Sequence, residues 1–135
     1  MKRSFQLELA SDQREGAVAR RVARAALIGD GADETEVSDV ELVTSELFAN
    51  AVTASTHHAS VSIDIMLNES SVLISVTNQG DAFELRSARA GIDAVGGRGL
   101  EIARALGDTH VCHYHGRTTV TVEIVLARAT SDPAA

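Results

Sequence analysis

Phe5, Leu7 and Leu9 alternate with Ser4, Gln6 and Glu8, the period of two that marks a strand with one buried face. Ser11 or Asp12 can cap a helix beginning near Gln13. Val18, Val22, Ala25 and Leu27 form its apolar stripe, Arg14, Arg20, Arg21 and Arg24 decorate it, and Gly29-Asp30-Gly31 ends it. The period changes little from Asp33 to about Ala54, where Val40, Val43, Leu47, Ala51 and Ala54 recur at helical spacing. Thr56-His57-His58-Ala59 reads as an exit turn. Val61, Ile63 and Ile65, then Val72, Ile74 and Val76, restore the period of two around Asn68–Ser71, which predicts an antiparallel hairpin. Asn78 to Gly97 has no clear period and four glycines, a stretch whose length suggests a functional lid. A third helix is predicted over Leu100–Leu106, then strands over Val111–His115 and Thr119–Leu126, with Gly116-Arg117 as the turn between them.

Helices interspersed with hairpins predict an α/β fold: a two-layer sandwich of a mixed, mostly antiparallel sheet with helices on one face. The chain's 135 residues fit one domain, taken as 1–128, with 129–135 as a frayed tail. Apolar residues make up 44% and aromatic residues 3%, so the core is aliphatic and base stacking on aromatics is not its binding mode. A net charge of −7 disfavours a nucleic-acid backbone and favours a neutral or basic partner surface. The lone Cys112 fits a reducing cytoplasm and, within a strand, reads as a small buried hydrophobe. No apolar run is long enough to span a membrane, and the N-terminus lacks a signal-peptide core.

Two short stretches carry chemistry. In Glu41-Leu-Val-Thr-Ser-Glu46-Leu-Phe-Ala-Asn50-Ala51, Glu46 and Asn50 stand four residues apart, so in a helix they share a face. Asparagine is a poor residue inside a helix, so its place among Leu, Phe and Ala points to a role. Glu41 falls on nearly the opposite side and reads as a solvated charge. Gly96-Gly97-Arg98-Gly99-Leu100 is a glycine cluster running into a helical pattern, where backbone N–H groups can approach an anion. A metal-binding amide beside a carboxylate base, plus a phosphate cradle, suggests Mg-nucleotide chemistry.

With both motifs in this order, residues 11–126 resemble the Bergerat-fold (GHKL) ATPases, and most closely the actinobacterial anti-sigma-factor serine kinases of the histidine-kinase-like superfamily. The resemblance implies ATP and Mg as ligands. It implies that Asn50 binds the Mg bridging the phosphates, and that Glu46 orients water or acts as base. Gly97, Arg98, Gly99 and Leu100 would wrap the phosphates within the lid. Gly80 would let the backbone pass the adenine, and Thr119, or Thr118 one position earlier, would stand near the base. It also implies a cytoplasmic homodimer that phosphorylates a serine on an anti-anti-sigma protein and sequesters a sigma factor.

Some positions depart from the family pattern. Asn78 stands where relatives carry the aspartate that accepts from the adenine amino group, and Ala82 replaces a glycine. An amide oxygen can still accept, without the charge-assisted share, so nucleotide affinity is expected to fall ~ten- to thousandfold. Asp81 compensates only if the loop is rebuilt. Ala54 replaces a basic residue, for which Arg98 or Arg117 can stand in. Two readings therefore stand: a serine protein kinase with an ATP·Mg site, and a degenerate binding module that sequesters a partner without strong ATP use. A detached sensor-kinase domain is weaker, for want of a phospho-accepting dimerisation region. His113 and His115 on one strand face, without a third ligand, read as polar strand residues rather than a metal site, and Asn78 has a plain alternative as a strand-end turn residue. The first-helix arginines are either a solvated face or a partner contact.

Overall fold

A computed structural model describes residues 3–56, 59–79 and 107–126. Strand β1 (Arg3–Ala10) leads through a 3-10 turn (Gln13–Glu15) into helices α1 (Gly16–Gly29) and α2 (Glu34–Ala54). Strands β2 (Ser60–Leu67), β3 (Ser71–Gln79), β4 (Asp108–Tyr114) and β5 (Arg117–Val125) follow. The strands form one sheet in the order β1-β2-β3-β5-β4. This is the two-layer α/β sandwich the hydropathy pattern predicts. The sheet was expected to be mixed, but every pairing among the described strands is antiparallel. The third helix, the lid, His57-His58 and the C-terminal tail lie outside the described residues.

Local chemistry sets each boundary. Asp12 accepts from the backbone N–H of Arg14 at 2.9 Å and caps the 3-10 turn. Asp33 and Glu36 close a reciprocal capping box at the start of α2, satisfying two otherwise orphaned N–H groups. At its other end the Ser55 hydroxyl donates to the Ala51 carbonyl at 2.7 Å. The turn between β4 and β5 is His115-Gly116, one residue earlier than expected. Both residues have positive φ, 49° and 75°, as a two-residue hairpin loop matched to the sheet's twist requires. Arg117 therefore starts β5, opposite Tyr114.

The core lies between the helices and one sheet face. Ile63, Ile65, Ile74, Val76, Val122 and Ile124 point into it, against Leu27, Val40, Leu47 and Phe48. The outer face alternates to polar residues, with Ser75 and Thr121, and Thr77 and Thr119, hydrogen-bonded across β3 and β5 at 3.0 and 2.8 Å. Strand β4 is one edge of the sheet and is mostly exposed. Cys112 is therefore exposed rather than buried, because an edge strand presents its polar-facing side to solvent.

Candidate functional site

Contacts between the helices orient α2. The Arg24 guanidinium bridges Glu34 and Glu41, at 3.0 and 2.9 Å. Arg20 donates to the Ser45 hydroxyl at 3.0 Å, and Gln13 to the Ala49 carbonyl at 3.1 Å. Glu41, Ser45 and Ala49 thus mark the flank of α2 that meets α1. At ~100° per residue, Glu46 and Asn50 stand ~100° further round the helix than Ser45 and Ala49, off that flank. Glu41 is an ion-pair partner in this interface and not the solvated charge expected of it. Arg14, Arg20 and Arg24 are likewise engaged within the chain, Arg14 by Asp12 at 2.7 Å.

A tether brings the end of α2 to the end of β3: the Thr56 N–H donates to the Gln79 carbonyl at 2.7 Å. Asn50 lies four residues before the last residue of α2, Ala54, ~6 Å along the helix axis. Asn78 lies one residue before Gln79. The two asparagines therefore stand at the same end of the sandwich, although the sequence separates them widely.

Both are chemically conspicuous. The Asn50 carboxamide nitrogen is buried without a hydrogen-bond partner among the described residues. Asn78 is only 1% exposed, and neither its nitrogen nor its oxygen has a partner there. It is the penultimate residue of β3, on the strand's buried side, and not a turn residue. Its register partner on β5 is Thr118, which is fully buried on the same face. The Thr118 hydroxyl shares a hydrogen bond with His113 Nδ1 at 2.9 Å. Thr119, preferred over Thr118 from the sequence, lies on the outer face with its hydroxyl bonded to Thr77. The period of two decides between adjacent threonines, and it places Thr118 beside Asn78.

Glu46 is half-buried, and burial pushes its carboxyl above the ordinary glutamate value. Desolvation disfavours the anion, which makes the carboxylate a better proton acceptor. Gly80, Gly97, Arg98, Gly99 and Leu100 lie outside the described residues. His113 is engaged by Thr118, and His115 sits in the hairpin turn. Among the described residues no group of three or more His, Cys, Asp or Glu could hold a metal ion, and no helix is long and apolar enough to cross a membrane.

The residues present fit a Mg-nucleotide. A carboxamide at Asn50 can offer its oxygen to a hard cation and its buried N–H to a phosphate oxygen. At Asn78 a second orphaned carboxamide can meet a base edge. A recess of about 400 Å³ on the outer face is a poor alternative, since Glu8 and Asp64 line it alongside Gln6 and Ser62 and would repel phosphate. The sequence motifs located Glu46, Asn50 and Asn78. They named Thr118 only as the alternative to Thr119, which strand alternation from Val120 would have reversed, and its pairing with His113 follows from the register of β4 on β5.

A model of the histidine kinase-like ATPase domain family matches residues 9–125. No curated protein sequence matches the chain. Among solved structures, the RsbU and RsbW domains from Mycobacterium tuberculosis align with 22% identity and a TM-score of 0.68, over 92% of this chain and 32% of that one. This chain thus spans about a third of the length of that neighbour. A chain of the SiaB–SiaC complex from Pseudomonas aeruginosa aligns with 15% identity and a TM-score of 0.63, over 90% and 89% of the two chains. The histidine kinase domain of a blue-light-activated kinase from Erythrobacter litoralis gives 20% identity and a TM-score of 0.54, over 86% and 63%.

Proposed function

Given that the chain belongs to the histidine kinase-like ATPase domain family, we propose that it binds Mg·ATP at the Asn50–Asn78 end of the sandwich and works as an anti-sigma-factor-type serine protein kinase. The observation that carries this is a set of buried carboxamide atoms without partners among the described residues, Nδ2 of Asn50 and both heteroatoms of Asn78, at the end of the fold where α2 meets β3. Buried polar groups are normally satisfied, so two orphans converging on one end of the family's fold are best explained by a ligand.

Each residue has a distinct task in this reading. Asn50 presents its oxygen to Mg, which when bound neutralises charge on the phosphates. Glu46, made more basic by burial, takes the proton of an attacking seryl hydroxyl. General-base help of this kind is worth ~10²–10⁴-fold, and the larger share of phosphoryl-transfer catalysis comes from positioning and charge neutralisation. Gly97 to Leu100 serve as the phosphate cradle. The acceptor is a serine on an anti-anti-sigma partner. Two fold neighbours, an RsbW domain and a member of a two-protein complex, support a partner-dependent role. The phosphoserine adds roughly −1.5 to −2 charge, and repulsion from a chain of net charge −7 helps the product leave.

A second reading, a partner-sequestering module without strong ATP use, is favoured by Asn78 itself, a neutral residue where a carboxylate would bind adenine more tightly. Labelling an extract of the native host with γ-labelled ATP separates the two. The kinase reading expects a phosphoserine protein that depends on added wild-type chain and disappears with Glu46→Gln. Labelling that is the same with and without the protein contradicts it.

A further inference from the structure

The register aligns the helix-facing side chains of the five strands in rungs. One rung is Val111, Val120, Val76, Ile63 and Leu7, aliphatic from β4 to β1. The next is His113, Thr118, Asn78, Val61 and Leu9. Three adjacent strands thus present an imidazole, a hydroxyl and a carboxamide, at the end of the sandwich assigned above to the nucleotide. Thr118 and Asn78 are enclosed, at 0% and 1% exposed. His113 is exposed, on the edge strand.

A hydroxyl carries one proton and two lone pairs, and its proton swings to suit whatever stands near. In Thr118 one of these three places is taken by His113 Nδ1 at 2.9 Å. The imidazole can fill it in either sense. If Nδ1 accepts, the Thr118 proton turns toward β4 and both lone pairs stay open to a further donor. If Nδ1 donates, it occupies one lone pair and leaves the proton and the other lone pair open. Either way the open places are directed rather than free to swing. Without that bond a ligand would have to order the hydroxyl itself, a cost that preorganisation removes.

We propose that His113 is a positioning residue of the nucleotide site: from the edge strand it fixes the Thr118 hydroxyl, and the fixed hydroxyl bonds the base end of the nucleotide. His113 acts through Thr118 and touches no nucleotide itself. This rests on the nucleotide-site reading above and holds for any base.

Calorimetric titration of Mg·ATP into the full chain tests this, with circular dichroism confirming that each variant folds. His113→Phe, which keeps a ring but no hydrogen-bonding atom, should weaken binding ~fivefold, as one ordinary hydrogen bond is worth. His113→Asn should stay within ~twofold of the wild type, because its amide atoms stand where Nδ1 stood. The double variant His113→Phe/Thr118→Val should bind no more weakly than Thr118→Val alone, since the two residues act as one unit. Wild-type affinity in His113→Phe, equal losses in His113→Phe and His113→Asn, or a double variant weakened by the product of the single losses, ~25-fold, each overturns the inference and leaves the nucleotide site standing. A wild type that binds no nucleotide overturns the site reading and this inference with it. If His113→Phe does not fold, His113→Ala takes its place with the same expected loss.

Discussion

His113 and Thr118 are joined across the β4–β5 pair by a 2.9 Å hydrogen bond that runs from the exposed edge strand to a fully buried hydroxyl. Thr119, next in sequence, is bonded instead to Thr77 on the outer face. The two threonines are therefore separable by substitution. Thr118→Val should weaken Mg·ATP binding ~fivefold, the worth of one hydrogen bond of ordinary strength, and Thr119→Val should leave it unchanged. Calorimetry on both variants checks this; an effect of Thr119→Val alone would contradict the placement.

The orphaned carboxamide of Asn78 predicts a trade between stability and binding. A buried group without partners costs ~1–3 kcal/mol, and an apolar residue of similar shape removes that cost. Asn78→Leu should raise the stability of the nucleotide-free protein by that amount and abolish nucleotide binding. Thr44→Val should be stabilising too, by ~1 kcal/mol, because the Thr44 hydroxyl is fully buried without a partner among the described residues. Chemical denaturation measures both, and a loss of stability in Asn78→Leu would show that the amide is satisfied.

Two glycines should respond oppositely to alanine. A Cβ on Gly107 would stand 2.1 Å from the carbonyl oxygen of Glu123, a backbone atom of β5 that cannot step aside without disturbing its pairing with the start of β4. Gly107→Ala should cost ~1–3 kcal/mol. A Cβ on Gly16 meets only ordinary contacts, 3.6 Å from Arg20 and 3.8 Å from Phe48. Gly16→Ala should stabilise the first turn of α1 by ~0.5–1 kcal/mol. Melting temperatures of the two variants moving in the same direction would count against this.

Two carboxyls should give opposite slopes of stability against pH. The Arg14 guanidinium and the Arg14 backbone N–H hold Asp12 down at about 2, from 3.8. Asp12 therefore contributes stability that is present above pH 3.8 and is lost as pH falls toward 2. Glu46 is raised above 4.5 by burial, so the fold prefers it protonated and loses stability as pH rises from 4.5 through its folded value. Asp12→Asn should flatten the acid limb. Glu46→Gln should remove the decline above pH 4.5, and an unchanged slope in that variant would mean the carboxyl is not desolvated.

Much of this architecture is legible in the chain because the aliphatic residues keep strict periods. Val61, Ile63 and Ile65 announce a strand, and Val40, Val43, Leu47 and Ala51 a helix, without competing signals. What the sequence conceals is local or relational. The two-residue turn at His115-Gly116 is hidden because histidine seldom takes a positive φ. The role of Glu41 is hidden because its partner, Arg24, is brought to it by packing of α1 on α2. Asn50 is visible as an anomaly within a helix, and Asn78 as a departure at the end of a strand. That they share one end of the sandwich follows only from the Thr56–Gln79 tether, a contact between backbone groups that no side-chain pattern encodes. Cys112 misled for a related reason, since strand alternation does not tell an edge strand from a central one.

The claim on which the rest depends is that Asn50 and Asn78 bound a Mg-nucleotide site. Isothermal titration of ATP into the wild type and Asn50→Ala, with Mg present and then removed by chelation, tests it most directly. The account predicts Mg-dependent binding to the wild type that is lost in Asn50→Ala while its circular dichroism spectrum is unchanged. Heat-silent wild-type titrations, or equal ATP affinity in both proteins, would contradict it.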